Sequence, residues 1–314
     1  MKVMRGDPRR WGPAPSGGSA VTIGVYDGVH RGHQTVVADL AARAGAMGVS
    51  QRAVLTFDRH PLAVVSPERV PRLLTTIEQR LEVLESLDVD LVGVLPFEQI
   101  REMHPGEFIH QVLLGSLGVK LVVVGTNFRF GRDRAGDVAS LQREGTRHGF
   151  EVDALELLRG DGAAVSSSAI RSLLHEGDAE GAERALGRPF ELRGVVVTGD
   201  GRGRTIGFPT ANLSFSEEMA VPARGVYASQ VRVGDVFVPG VVNVGVRPTF
   251  GGETLTVEVH LLGFDGDLYG QKLGVCFKHR LRDERRFADV DALVVQINKD
   301  VDEARRVLGE GHGR

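Results

Sequence analysis

His30 and His33 flank Gly32 in a loop that also carries Asp27 and Gly28. Two imidazoles on so short a stretch can donate hydrogen bonds to one anion. The surrounding string, Ala20 to Gln34, reads AVTIGVYDGVHRGHQ. Val21, Ile23 and Val25 alternate as in a buried strand, Gly24, Gly28 and Gly32 permit a tight turn, and helix formers follow from Gln34. A helix N-terminus offers unpaired N–H groups and partial positive charge, so the ligand this pattern suits is a phosphate. The competing reading is an ordinary turn between strand and helix with surface histidines.

A second constellation lies in GDGRGRTIGFPTANL, Gly199 to Leu213. Gly199, Gly201, Gly203 and Gly207 make a loop able to approach phosphates, or simply a flexible turn. Thr210 and Asn212 sit two positions apart, which on an extended backbone puts both side chains on one face. Their two neutral oxygens suffice for Mg²⁺ when nucleotide phosphates and waters complete its shell. Downstream, in TLTVEVHLL (Thr254 to Leu262), Leu255, Val257, Val259 and Leu261 face one way and Thr256, Glu258 and His260 the other. Glu258 could accept the proton of an attacking alcohol, or be an exposed strand glutamate.

Three further loops qualify by position. TFDRHP, Thr56 to Pro61, carries Asp58 and Pro61; GTNFRFGRDRAGD, Gly125 to Asp137, carries Asn127; Ser166-Ser167-Ser168 opens a helix that includes Arg171. Asp58 and Asn127 read equally as turn or capping residues. Ser167 and Ser168 read as an N-cap, or with Arg171 as a polyphosphate contact.

The elements that would hold these residues follow from periodicity. Strands are expected at Val21–Val25, Ala53–Phe57, Leu91–Leu95, Leu121–Gly125 and Phe150–Leu157. Helices are expected at Gln34–Ala46, Thr76–Leu87, Pro105–Leu114 and Val138–Arg147. This alternation predicts a parallel sheet covered on both faces, with ligands at the carboxyl ends of its strands. Residues 1–19, rich in Pro, Gly and Arg, read as an irregular arm. After a helix at Asp178–Leu186 the pattern changes near Arg188-Pro189. Short runs at Leu192–Thr198, Gly225–Val233, Val236–Asn243, Thr254–Leu262 and Lys272–Phe277, joined by Gly, Pro and Asp turns, predict a closed or nearly closed β-barrel. In a last helix, Val290–Leu308, the stripe Val290, Leu293, Val294, Ile297, Val301 and Leu308 should pack on that barrel.

The 314 residues suggest about two domains. Hydrophobic residues at 42% and charged residues at 25% are ordinary globular usage, enough for two cores. A net charge of −3 gives no general basic footprint, so nucleic acid and anionic membranes are not the expected partners, and small molecules are. No stretch holds the ~20 apolar residues of a membrane span, and the N-terminus lacks an apolar leader core; cytoplasm is the expected location. The single cysteine, Cys276 in an apolar run, excludes an intramolecular disulfide or a cysteine-based zinc site and reads as a core residue. Arg282 to Phe287, RDERRF, reads as a solvated charged turn.

The string GVYDGVHRGH resembles the N-terminal domain of bacterial bifunctional riboflavin kinase/FAD synthetases, with Tyr26 where phenylalanine is usual. TFDRHP is similar to the family's TFDPHP with Arg59 in place of the middle proline, VGTNFRFG to VGENFRFG, and VSSSAIR to VSSTxIR with Ser168 in place of threonine. RGRTIGFPTAN, GVYAS, NVGVRPTF, VEVHLL and DLYG occur in the order of bacterial riboflavin kinases, with Arg247 where NPTF has asparagine. The resemblance implies a Rossmann-like nucleotidylyltransferase domain, residues 20–186, and a riboflavin-kinase-type barrel with a C-terminal helix, residues 190–309. It implies that riboflavin plus ATP gives FMN, and that FMN plus ATP gives FAD and pyrophosphate. On this basis Glu258 is the kinase base, Thr210 and Asn212 take Mg²⁺, and Gly199, Gly201, Gly203 and Gly207 close over ATP. His30 and His33 with Gly24, Asp27, Gly28, Gly32, Ser167, Ser168 and Arg171 take the second ATP, and Asp58, Pro61 and Asn127 meet the flavin. A kinase whose adenylyltransferase half has weakened is the nearest alternative, on account of Arg59. A non-catalytic flavin-binding module and a first domain acting on another phosphate-bearing substrate are the others. A homo-oligomer is left open.

Overall fold

All five residues of the strand Ser19–Ile23 are buried, as a strand covered on both faces must be. It is central to the first of two units in the computed structural model, which describes residues 1–156, 159–160, 163–199, 201–249 and 252–309. That unit comprises Met1–Pro71 and Thr75–Ser166, and the second Arg72–Leu74 and Ser167–Arg314.

In the first unit β1 (Lys2–Arg5), β2 (Ser19–Ile23), β3 (Gln51–Phe57), β4 (Leu91–Leu95), β5 (Val119–Gly125) and β6 (Glu151–Leu155) form a sheet in the order β1-β4-β3-β2-β5-β6. Every pairing is parallel. The chain goes to one side of β2 for β3 and to the other for β5. The crevice beyond the carboxyl end of β2 is therefore a topological switch point, where open sheets of this kind bind ligands.

Alternation along β2 feeds two cores. Ala20 packs with Leu40 and Ala44 of α1 (Arg31–Met47), and Leu84 of α2 (Ile77–Glu85) joins Val37, Val54 and Val92 on the same side. Val21 and Ile23 pack on the opposite side with Ile109 and Leu113 of a π-helix, Phe108–Ser116, and Leu141 of α3 (Val138–His148). Glycines in the left-handed conformation at 48 and 149 end α1 and α3.

Two expectations need correction here. Residues 1–19 are not an irregular arm throughout: Lys2–Arg5 pairs in parallel with β4, and Met4 and Trp11 pack against the core. The Trp11 ring occupies the space over Gly93 that a Cβ would fill. The expected helix Pro105–Leu114 is one α-turn, Pro105–Glu107, followed by the π-helix. Of the expected strand Phe150–Leu157, Glu151–Leu155 is found, and Leu157 lies outside the described residues.

In the second unit β7 (Phe190–Val197), β8 (Ala211–Ser214), β9 (Gly225–Val233), β10 (Val236–Thr249), β11 (Gly252–Leu261) and β12 (Lys272–Arg282) close a barrel in the order β7-β8-β11-β10-β9-β12. Phe190, Tyr227, Val242, Val259 and Phe277 fill it. Ile170 and Leu174 of α4 (Ser167–Glu176) and Ala182 and Leu186 of α5 (Ala179–Leu186) extend the same core. The last helix, α6 (Val290–Val307), covers Val226, Ala228 and Val241 with Val301 and Ala304. Val290 is 56% exposed and does not join the stripe assigned to it.

Arg282 is also not the solvated charge expected of RDERRF. Its guanidinium grips Asp300 of α6, Nε to Oδ1 at 3.0 Å and Nη2 to Oδ2 at 2.8 Å, and Asp300 is buried. Only Asp283 to Arg286 are exposed. Cys276 is partly buried, and burial followed by the neighbouring Glu191 charge pushes its thiol up to about 12.

Candidate active sites

The first unit builds its candidate site where β2 ends. Tyr26 and Val29 carry positive φ, 54° and 40°, strain that is usual at functional turns. Tyr26 is anchored by its hydroxyl on Thr22, 2.7 Å away. Asp27 is buried and its Oδ1 accepts from the Thr75 amide at 3.1 Å, while the Thr75 hydroxyl accepts from the Gly28 amide at 2.9 Å. Thr75 precedes α2, whose capping box of Thr76 and Gln79 fixes that helix start. Asp27 and Gly28 are thus parts of a clamp that holds the loop.

His30 is the N-cap of α1, its Nδ1 accepting from the His33 amide at 3.4 Å. The bond puts the proton of a neutral His30 on Nε2. The two imidazoles stack, centroids 3.7 Å apart and planes at 17°. Gly32 permits this packing, since a Cβ there would lie 3.2 Å from two atoms of the His30 ring and 3.3 Å from the Val165 carbonyl oxygen. Gly24 is similarly close to the Tyr26 ring, 3.1 Å from a built Cβ. Burial, then the adjacent His30 and Arg80, hold His33 well below the usual histidine range, and its buried Nδ1 has no hydrogen-bond partner.

Arg80 is the residue the sequence did not reveal. It sits mid-helix in α2, only 5% exposed, donating to the Thr56 hydroxyl at 3.0 Å. Its Nε has no hydrogen-bond partner, and burial lowers its pKa against the opposing effect of Asp27. A buried cation beside the histidine pair is an anion-stabilising element of the kind phosphoryl chemistry uses.

The other loop residues lie at neighbouring strand ends. Asp58, exposed after β3, accepts from the Phe97 amide at 3.0 Å. Pro61 begins the short helix Leu62–Val65, and Arg59 turns to Glu98, Nη1 to Oε1 at 3.0 Å. Asn127 is exposed after β5, near Gly125. Ser167, Ser168 and Arg171 begin α4, which belongs to the second unit, where Arg171 Nε donates to the Arg72 carbonyl at 2.5 Å. A cleft of about 520 Å³ lined by Met47, Lys120, Gly149 and Phe150 contains none of the candidates.

On the barrel Asn212, Glu258 and Asn243 are register partners across β8, β11 and β10. Directly opposed residues share a face with Cβ atoms ~5 Å apart, so one row carries a carboxylate between two amides. The expected alternation holds for Val257, Val259 and Leu261, all buried, whereas Leu255 is 39% exposed. A Cβ on Gly199 would run into the Asn212 amide, and one on Gly203 would lie 3.4 Å from the Thr210 hydroxyl. The glycine loop therefore packs onto the two residues expected to hold the metal. Gly201 and Gly207 adopt positive φ within it, and Asp200 lies outside the described residues.

His260 Nδ1–H donates to the Pro209 carbonyl at 2.8 Å and pins the approach to Thr210. Arg247 comes within 3.7 Å of the Glu258 carboxylate. A cleft of about 620 Å³, lined among others by Gly201, Arg204, Thr210, Ala211 and Val259, takes in Thr210 but neither Asn212 nor Glu258; its size suits a nucleotide-sized ligand. Thr210 and Asn212 supply hard, neutral oxygens, which fits Mg²⁺ shared with phosphates and water.

Comparison with known proteins agrees with this division. Residues 13–169 match the FAD synthetase family and residues 186–308 the riboflavin kinase family. The chain is 42% identical to the bifunctional riboflavin kinase/FMN adenylyltransferase of Pseudomonas fluorescens, over 92% of each chain. It is 38% identical to that of Escherichia coli (strain K12), over 98% of each. A crystal structure from Streptococcus pneumoniae, titled a macrolide-efflux protein, superposes with a TM-score of 0.87 at 28% identity, over 97% of this chain and 99% of that one. Among the described residues of this chain no helix is long and apolar enough to cross a membrane.

Proposed function

We propose how this chain, which belongs to the bacterial bifunctional riboflavin kinase/FAD synthetase family, assigns its residues to two reactions. In the barrel, riboflavin attacks the γ-phosphorus of ATP through its 5′-hydroxyl oxygen; ADP leaves and FMN forms. Glu258 accepts the hydroxyl proton, and Asn212 and Asn243 on either side hold its row in place. Thr210 and Asn212 hold Mg²⁺, which when bound neutralises charge on the transferring phosphoryl group. Gly199, Gly201, Gly203 and Gly207 bring backbone N–H groups to the ATP phosphates. The observation that carries this reading is the packing of the glycine loop onto Thr210 and Asn212 with Glu258 directly opposite Asn212.

In the first unit an FMN phosphate oxygen attacks the α-phosphorus of a second ATP, and pyrophosphate leaves. Gly24, Asp27, Gly28 and Gly32 shape the loop, while His30, His33 and the start of α1 meet the phosphates. Asp58, Pro61 and Asn127 at the strand ends form the flavin side. Ser167, Ser168 and Arg171 are assigned to the ATP of this step on the sequence resemblance. The adenylyltransferase is assigned to residues 20–186 and the kinase to 190–309; the family matches support a division near 186, while α4 and α5 pack with the barrel. The substrates are riboflavin, FMN and ATP, with no nucleic acid or membrane. A reducing cytoplasm is the proposed setting, in keeping with one partly buried cysteine.

The pure protein with riboflavin, ATP and Mg²⁺, its flavins resolved by chromatography, tests both steps. FMN and then FAD should appear. Absence of FMN refutes the kinase assignment, and FMN without FAD refutes the adenylyltransferase.

A further inference from the structure

Outside both sites, the π-helix and α3 bring three metal-ligating side chains together. The capping box of Asp137 and Ser140 starts α3 and Gly149 ends it, so Glu144 and His148, four apart, share a face. His110 comes from the π-helix, a widened geometry uncommon in proteins and frequent at functional sites. The imidazoles of His110 and His148 meet edge to face, centroids 4.7 Å apart. One ligand atom from each of His110, Glu144 and His148 lies within 4.8 Å of the other two.

The geometry within the cluster is that of ligands and not of a hydrogen bond. His148 Nε2 lies 3.3 Å from Glu144 Oε2, yet this buried nitrogen has no hydrogen-bond partner. With its proton on Nδ1, His148 has the Nε2 lone pair available to an ion, and Glu144 places a carboxylate oxygen beside it. A tetrahedral ion with ligands at ~2.0–2.1 Å sets them ~3.3 Å apart, the separation already present. His110 is exposed, and a small rotation of its side chain would bring its nitrogen, now within 4.8 Å of both partners, to the same separation from each.

We propose that His110, Glu144 and His148 bind one divalent first-row transition ion of the zinc class, with water in the fourth position. The ion bridges the π-helix to α3. Two imidazoles and a carboxylate select such an ion over Mg²⁺, which takes oxygen ligands and keeps its waters. The site is therefore separate from the ion that the kinase reaction uses.

The test uses the full chain without a polyhistidine tag, stripped with chelator and titrated with Zn²⁺ in excess Mg²⁺ by calorimetry. Co²⁺ in place of Zn²⁺ reports geometry through its visible absorption. The wild type should bind one equivalent, show tetrahedral Co²⁺ bands and melt at a higher temperature with Zn²⁺. His110→Ala/His148→Ala should weaken that event by at least about 100-fold and abolish the bands. Glu144→Gln, which keeps size and shape, should weaken it while the circular dichroism stays native, and His175→Ala, on α4, should change nothing. Binding of equal stoichiometry and affinity in the His110→Ala/His148→Ala variant, or no binding by the wild type, overturns the proposal.

Discussion

Glu258→Gln should separate catalysis from folding at the barrel site. Arg247 lies 3.7 Å from the Glu258 carboxylate, with side-chain exposures of 40% and 31%. At that distance Coulomb attraction is ~1 kcal/mol in water-like screening, and exposed pairs of this kind contribute ~0–1 kcal/mol net. Glutamine keeps the shape, so the variant should lose no more than ~1 kcal/mol of stability. A general base, by contrast, contributes ~10²–10⁴ in rate, about 3–5.5 kcal/mol of barrier. The assay supplies riboflavin and ATP to measure FMN, and separately FMN and ATP to measure FAD, with thermal melts alongside. FMN formation should fall at least ~100-fold while FAD formation from added FMN and the melting temperature stay near wild type. Retention of FMN synthesis within ten-fold refutes the base role. Equal loss of both activities with a lowered melt refutes the claim that the residue acts only in the first step.

His33→Ala should do the reverse, abolishing FAD formation while FMN still accumulates in the same chromatographic assay. His33 is held below its ordinary pKa in the fold. The unfolded chain therefore binds a proton near pH 6.5 and below that the folded one does not, and stability falls as pH drops through that window, by up to ~1.4 kcal/mol per pH unit; urea midpoints from pH 8 to 5 should show a slope that His33→Ala lessens. Gly32→Ala adds a Cβ 3.2 Å from the His30 ring in a helix where alanine is favoured by up to ~1 kcal/mol. FAD synthesis should drop at least ten-fold without loss of thermal stability, and an unaffected rate contradicts the close-packing argument. Asp300→Ala leaves Arg282 without its carboxylate and should cost ~3 kcal/mol or more in denaturant unfolding, whereas Arg282→Met with Asp300→Leu should recover much of it.

The loop after β2 was legible because its signals are local. An apolar strand, glycines and a helix start occupy fifteen consecutive residues, although the helix begins at Arg31 with His30 as its N-cap, three residues before the expected Gln34. Arg80 was not, because an arginine in an amphipathic helix reads as a surface charge; in the fold it is buried and donates to Thr56, a residue 24 positions earlier. The row Asn212, Glu258, Asn243 depends on barrel register, so Asn243 carried no signal of its own. Lys2–Arg5 was hidden by the charged and proline-rich residues around it, although β4 and the Trp11 ring supply what makes it a strand. The π-helix escaped for a related reason: Phe108 and Val112, like Ile109 and Leu113, are four apart as in an ordinary α-helix, and the wider i→i+5 bonding emerges only in the folded chain.

The stacked histidines set a limit on the electrostatics of adenylyl transfer. Two imidazolium rings 3.7 Å apart beside the buried Arg80 would place three cations in one low-dielectric pocket, which desolvation and mutual repulsion oppose. Without ligand the permanent charge therefore belongs to Arg80, and His33 stays neutral. A triphosphate bound there, as proposed, would bring several negative charges to the same place and reverse the sign of the effect: each phosphate oxygen near His30 or His33 would favour the protonated ring. In the proposed site the pair would thus offer N–H donors at rest and take up positive charge when the anion arrives, whereas a lysine pair would have to be desolvated as two full cations beforehand. Substituting Arg80 by methionine removes the charge that opposes protonation of His33 as well as the charge that attracts phosphate, so binding and the pH dependence of FAD synthesis should change together.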